Sequence, residues 1–299
     1  MTIWDLDIRK GWRLGLAGIV VLVLLAVGLG VLIALTPISL LTFFLTLGAL
    51  GALVAAVLVG YWLWGLLHAE YAMDRNVLVI RWGGYTHELP MAEIQEVLRG
   101  ADLEKVSLRR VLHWPGYFVG QGEAQEIGPI FFYATAPLQE QLVLRLPGVA
   151  YAISPANPEL FLEALEERLE MGATQDVVYI VRHPAFLDWA IWKDPLLLSL
   201  LGSALALLLL LGGLLSWRYP TLPESIVLKI DAKGAPLLVG PPSRLAYLGL
   251  LALLFTLFNG GLGLVFYRRR PVVTYFLCGG LLLLLTSLWI AILSILFRA

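Results

Sequence analysis

Tyr71-Ala-Met-Asp-Arg-Asn-Val-Leu-Val-Ile80 opens the one long polar segment of this chain, and Ile153-Ser-Pro-Ala-Asn-Pro-Glu-Leu-Phe-Leu-Glu-Ala-Leu165 closes it. Val77-Leu-Val-Ile-Arg-Trp82 is rich in strand formers, and Asp74-Arg-Asn76 before it has turn chemistry, so residues 71–82 read as a hairpin. Gly83-Gly84 turns the chain into a further strand at 85–89. Three more strands follow at Pro129-Ile-Phe-Phe-Tyr-Ala-Thr135, Gln141-Leu-Val-Leu-Arg-Leu146 and Val149-Ala-Tyr-Ala-Ile153, with turn signals at Pro137 and Pro147-Gly148. Strands this short need a second layer. Asn157 before Pro158 is a helix start, and Phe161, Ala164, Leu165 and Leu169 share one helical face that supplies it.

Outward from this segment the composition changes. Of 299 residues 59% are hydrophobic and only 14% charged, with a mean hydropathy of +0.82, against about 25% charged in soluble domains. Such a composition predicts a membrane protein. The net charge of -1 conceals a segregation: residues 68–194 hold 18 of the 22 acidic side chains and 10 of the 21 basic ones. An acidic module lacks the clustered Lys and Arg that phosphate neutralisation demands, which argues against a nucleic-acid partner. The single cysteine, Cys278, lies in an apolar run and reads as packing.

Residues 14–35 are uncharged and long enough to cross a hydrocarbon core of about 30 Å. A cleaved signal sequence would have an apolar region of only about 7 to 15 residues. Thr36-Pro-Ile-Ser39 is a turn, and the apolar pattern resumes over 38–67, with Tyr61, Trp62 and Trp64 as an aromatic belt. The reading divides the chain into an N-terminal transmembrane hairpin at 1–68, an α+β domain at 69–173, an interfacial linker at 174–194 and a three-span region at 195–299. In that last region Asp194-Pro195 is an N-cap with proline at the first helical position, spans lie at 195–217, 245–267 and 272–297, and the 218–243 loop holds a small hairpin with its turn at Ala232-Lys-Gly234. Basic residues near span ends place the N-terminus and the domain on the cytoplasmic side, and the C-terminus outside. Arg9, Lys10, Arg13, Arg75, Lys193, Arg268, Arg269 and Arg270 then lie inside, against Arg218, Lys229, Lys233, Arg244 and Arg298 outside.

The strands closed by one C-terminal helix resemble the pleckstrin-homology superfold, and the wording is similar to bacterial PH-like domains found in membrane proteins. The resemblance rests on Tyr71 with Val77-Leu-Val-Ile80, on Pro115-Gly-Tyr117 with Gly120, on Phe132-Tyr-Ala-Thr135, and on Tyr151-Ala-Ile-Ser-Pro-Ala-Asn-Pro-Glu-Leu-Phe161. It implies a PH-like β-sandwich or barrel closed by one C-terminal helix, inserted in a membrane α-helical protein. Phosphoinositide-binding members use a basic loop between the first two strands, and Asp74-Arg-Asn76 offers no such cage. In the C-terminal part, Tyr219-Pro-Thr-Leu-Pro223 through Gly234-Ala-Pro236 resembles a small Leu-Pro-loop membrane domain of unknown function. That domain also occurs in bacteriocin-immunity-like proteins, but Lys229 and Leu237 depart from its usual histidine and aspartate.

No catalytic, cofactor or metal constellation is expected. His68, His87, His113 and His183 are scattered singly, without metal-ligand spacing, and read as surface or turn residues. Gly120-Gln-Gly122 reads as a loop, and Glu163, Glu166, Glu167 and Glu170 as a solvated helix face. Asn259 reads as an interhelical hydrogen bond or a kink, in spans without the ionisable residues that mark a transport path. The 99–117 segment, where Lys105, Arg109 and Arg110 interleave with apolar residues before Trp114 and Tyr117, reads either as a strand and connection of the sandwich whose charges face water or as the candidate surface for a membrane or partner. The expectation is a non-enzymatic, membrane-anchored binding or scaffolding protein of the bacterial cytoplasmic membrane, whose partners are the bilayer and another membrane or cytoplasmic protein. The alternative is a transporter-like or immunity-type protein working through its C-terminal spans.

Overall fold

The computed structural model describes residues 1–175, 177–184, 186, 188–231 and 236–297. It forms two compact units, one of Met1–Leu24 and Ala52–Pro184, the other of Leu25–Gly51 and Ala185–Ala299.

In the first unit the chain begins with a strand, β1 (Thr2–Trp4), followed by the helices α1 (Arg9–Leu35) and α2 (Leu40–Leu67), each of which runs on into the second unit. The sheet domain then follows as β2 (Glu70–Met73), β3 (Val77–Trp82), β4 (Tyr85–Pro90), β5 (Glu96–Arg99), β6 (Val106–Trp114), β7 (Tyr117–Ala124), β8 (Gly128–Ala134), β9 (Leu142–Leu146) and β10 (Val149–Ile153). It ends with α3 (Pro158–Met171) and β11 (Ile180–Arg182). One sheet has the order β1-β2-β3-β4-β11 and the other β5-β9-β10-β8-β7-β6. Among the described residues these are two open sheets, without closure into a barrel. All pairings are antiparallel except β8 with β10, which run parallel with Phe132 opposite Ala152.

The core lies between the sheets, where Tyr71, Leu78, Ile80, Leu89, Leu144 and Tyr151 are fully buried. Phe161 and Leu165, one turn apart on α3, are also fully buried and close the sandwich. The N-terminal flank is part of the same body. Thr2, Ile3 and Trp4 pair with Met73, Ala72 and Tyr71, and the Trp4 ring meets Phe161 edge-on at 5.3 Å. At the other edge Ile180–Arg182 pairs with β4. Both edge strands lie in stretches that the sequence reads as flank and linker. Asn157 stands at the N-cap of α3, but its side chain makes no capping hydrogen bond.

The sheet domain is seated on the helix ends of its own unit. Leu66, in the last turn of α2, is fully buried in the sandwich core. Gly116, in the β6–β7 turn with φ +88°, approaches Gly11 of α1 so closely that a Cβ on either would strike the other's backbone. Gly83, with φ +58°, lies against Gly65 of α2, where a Cβ on Gly83 would come within 2.8 Å of the Gly65 Cα. Glycine is required here twice over, by a left-handed backbone and by the absence of room.

In the second unit, Ser39 and Thr42 start α2 reciprocally: the Ser39 amide donates to Thr42 Oγ1 at 2.8 Å and the Thr42 amide to Ser39 Oγ at 3.4 Å. The unit continues with α4 (Pro195–Arg218), the paired strands β12 (Ile226–Ile230) and β13 (Pro236–Gly240), α5 (Ser243–Tyr267) and α6 (Pro271–Leu296). The turn expected at 232–234, and the basic residues Lys233 and Arg298, lie outside the described residues. Ala204, Leu211, Ala252, Leu281, Leu285 and Ile292 form the core of α4–α6, with small residues where helices approach. Among the described residues Asn259 makes no hydrogen bond to another helix: its amide donates to the Phe255 carbonyl of its own helix at 3.0 Å.

By length and composition, five helices among the described residues could cross a membrane. Their outward faces expose Val57, Phe276, Leu283 and Ile290 almost as if unfolded. Apolar surface on that scale is compatible with a hydrocarbon surround.

Candidate functional site

The sequence-predicted surface separates into two parts. Lys105, Arg109 and Arg110 are exposed on and just before β6, an edge strand, and none forms an ion pair among the described residues. Lys105 has φ +48°, and the register slips by one residue between Ser107 and Arg110, so this end of the edge is bulged. Trp114 and Tyr117 belong elsewhere. They stack at 4.0 Å with their planes 5° apart; Trp114 also lies 6.2 Å from Trp62 of α2 and donates from its indole N–H to the Gly11 carbonyl at 3.4 Å. Tyr117 is 2% exposed, and burial pushes its hydroxyl up to about 12. Of the five candidates, then, three are exposed cations without an ion pair among the described residues, while Trp114 packs against α1 and α2 and Tyr117 stacks on it.

A cavity of about 1060 Å³ opens beside the start of α1, where Asp7 and Lys10 line it together with Arg99, His113, Glu140 and Glu159. Its floor is polar. Ser154 Oγ accepts from the Thr135 amide at 2.7 Å and the Ala136 amide at 3.3 Å. Gln141 donates from Nε2 to the Ala136 carbonyl at 2.7 Å, while its buried Oε1 has no partner among the described residues. A smaller cleft of about 280 Å³ lies under the last turns of α2, lined by Tyr61, Trp64, Trp82, Tyr85 and Tyr133 among others.

His87, expected at the surface, is buried at 2% exposure. Its Nε2 lies 2.8 Å from the Tyr133 hydroxyl and its Nδ1 3.1 Å from the Tyr151 hydroxyl, which itself bonds Tyr179. Burial, reinforced by His183, lowers its pKa to about 4. A neutral imidazole has one donor and one acceptor nitrogen, and two phenols satisfy both. The Gly120-Gln-Gly122 loop reading is also replaced: these residues lie inside β7, where a Cβ on Gly120 would strike the Arg110 carbonyl and one on Gly122 the Phe132 ring.

In the second unit Asp194 gathers three helices. Its Oδ1 caps α4 by accepting from the Leu197 amide at 3.0 Å, while its Oδ2 accepts from Tyr267 at the end of α5 at 2.9 Å and from Tyr275 in α6. The Tyr275 hydroxyl foremost, with the Leu197 amide, holds the carboxyl below its ordinary range. Cys278 is buried beneath, beside Ile191 and Leu197. Among the described residues no three His, Cys, Asp or Glu side chains converge as a metal site.

Two open sheets sealed by a C-terminal helix fit the PH-like class of domain. Residues 69–169 match the family of the bacterial PH domain, so this third of the chain is identified at family level. No curated protein and no solved structure matches the chain. A bacterial PH domain suggests a binding or scaffolding role, and the apolar helices are compatible with a membrane protein.

Proposed function

We propose that the chain is a multi-pass protein of a bacterial cytoplasmic membrane whose PH domain is a non-catalytic binding or scaffolding platform. The observation that supports this most is the way the first unit is built. Its sheet domain is fastened to α1 and α2 through Gly11–Gly116, Gly65–Gly83 and Trp114, while β6 keeps an uncovered edge bearing Lys105, Arg109 and Arg110. An edge strand offers unpaired backbone groups to an extended segment. The flanking cations favour an acidic one. In this reading the N-terminus and the PH domain are cytoplasmic and the C-terminus is outside.

The test is photocrosslinking in the full chain in its own membrane, with the reactive side chain at Arg109 or, as control, at Glu166 on the exposed face of α3. The platform reading expects an adduct at 109 that disappears on Arg110→Glu and does not form at 166. Equal adducts at both positions, or none, would overturn it.

A second reading, with the work done by α4–α6 as in a transporter-like or immunity-type protein, is favoured by one observation, the Asp194 carboxylate held by Tyr267 and Tyr275. It requires that truncation after residue 193 abolish the cellular phenotype.

A further inference from the structure

We infer that the cleft under the last turns of α2 is a binding site for a quaternary ammonium group, the cationic head carried by choline and betaines. Eight of its fifteen lining residues are aromatic, and none carries a formal charge. At about 280 Å³ it is smaller than the roughly 300 to 1,000 Å³ of sites for drug-sized ligands, so a compact head group is the fitting size of occupant.

The ring geometry supplies the recognition. Tyr133 stands between Trp82 and Tyr85, 6.1 Å and 6.4 Å away, with its plane inclined by 47° and 46° to theirs. Rings so far apart and so inclined do not stack on one another, and all three border the same cleft. Tyr61 and Trp64, both partly exposed, stand at the rim on α2. Tyr117 also borders the cleft, with one of its faces covered by Trp114. Aromatic faces attract a cation through the ring quadrupole, more strongly where water is excluded.

The absence of carboxylates in the lining selects among cations. A lysine-type ammonium or a metal ion would lose hydrogen bonds or coordinated water on entering and find no ionised oxygen to replace them. A quaternary ammonium has no N–H and is weakly hydrated, so it loses little. Burial also raises the Tyr117 and Tyr133 hydroxyls, and the lining therefore stays uncharged at physiological pH. Such a group has two sources, a lipid head group reached from the bilayer or a small solute. This inference does not depend on strand addition at β6, because its readout is a titration with a small molecule.

The experiment uses the full chain in nanodiscs of phosphatidylglycerol, which has no quaternary nitrogen, and follows tryptophan fluorescence on titration with choline and with its neutral isostere in which carbon replaces nitrogen. Choline is expected to give a saturable change, and the isostere to bind at least about tenfold more weakly. Tyr85→Leu should weaken choline by about the same factor, the loss of one ring. Gln121, exposed at the cleft, gives a second test that spares the aromatic core: Gln121→Glu should tighten choline and Gln121→Lys weaken it. Repeating the titration in phosphatidylcholine discs separates the sources, since a lipid-fed site loses its response to free choline and a solute-fed site keeps it. No saturable response in phosphatidylglycerol, equal binding of the isostere, or the same sign of effect from both Gln121 variants would overturn the inference.

Discussion

His87 is neutral in the fold because both ring nitrogens are spoken for by phenols and the group is sealed from water. Its pKa of about 4 lies below the ordinary histidine value of about 6.5, so between these limits the unfolded chain binds the extra proton and the folded one does not. Stability is therefore full above the unfolded value and falls as pH drops toward 4, by about 1.4 kcal/mol per unit at most. The apparent melting temperature of the full chain in detergent should decline over that window, and in His87→Gln the decline should be shallower. The residue was half legible in the sequence. Tyr85, His87 and Leu89 alternate on one strand face, which is a burial signal. Its partners Tyr133 and Tyr151 stand 46 and 64 residues away, and no local pattern joins them to it.

The strands and the helix α3 that carry their own signal, such as Val77–Trp82 with its strand formers and Pro158–Met171 with its apolar face, were readable because that signal is local. Short edge strands are different: Thr2–Trp4 and Ile180–Arg182 are three residues long and exist because a neighbour offers a ladder. The glycines of β7 misled for a related reason. They look like loop residues, but they sit in a strand because Arg110 and Phe132 leave no space for a Cβ. The seam between the helices and the sheets makes the same demand at Gly116. Gly116→Ala puts a side chain on a left-handed backbone, a cost of about 1–2 kcal/mol, and adds a collision with Gly11. It should lower the melting temperature and speed limited proteolysis of the sheet domain more than Gly148→Ala, where φ is also positive but the space is open. Phe161→Ala, which unseats α3 from the core, should cost about 3–5 kcal/mol, read as loss of the folded sheet domain at ordinary temperature.

At the scale of the whole chain, the proposed orientation rests on eight basic side chains inside against five outside, and it makes a prediction that the spans alone do not. Cys278 is buried, so it gives little background when single cysteines are introduced at the exposed positions Glu163 and Glu224. Under the proposed topology, a membrane-impermeant thiol reagent added to intact cells should label Glu224→Cys and reach Glu163→Cys only after permeabilisation; the reverse pattern would put the PH domain outside. The short turn between α5 and α6 concentrates this charge. Arg268, Arg269 and Arg270 make up three of the eight inner cations, so replacing all three by glutamine leaves five on each side and removes the asymmetry that orients the chain. The change touches neither the sheet domain nor the cap at Asp194. If basic residues set the orientation, Glu224→Cys in that background should label only in part before permeabilisation, and Glu163→Cys should become partly accessible. Unaltered labelling at both positions would mean that the folded PH domain, retained on its own side of the membrane, fixes the topology without the help of these arginines.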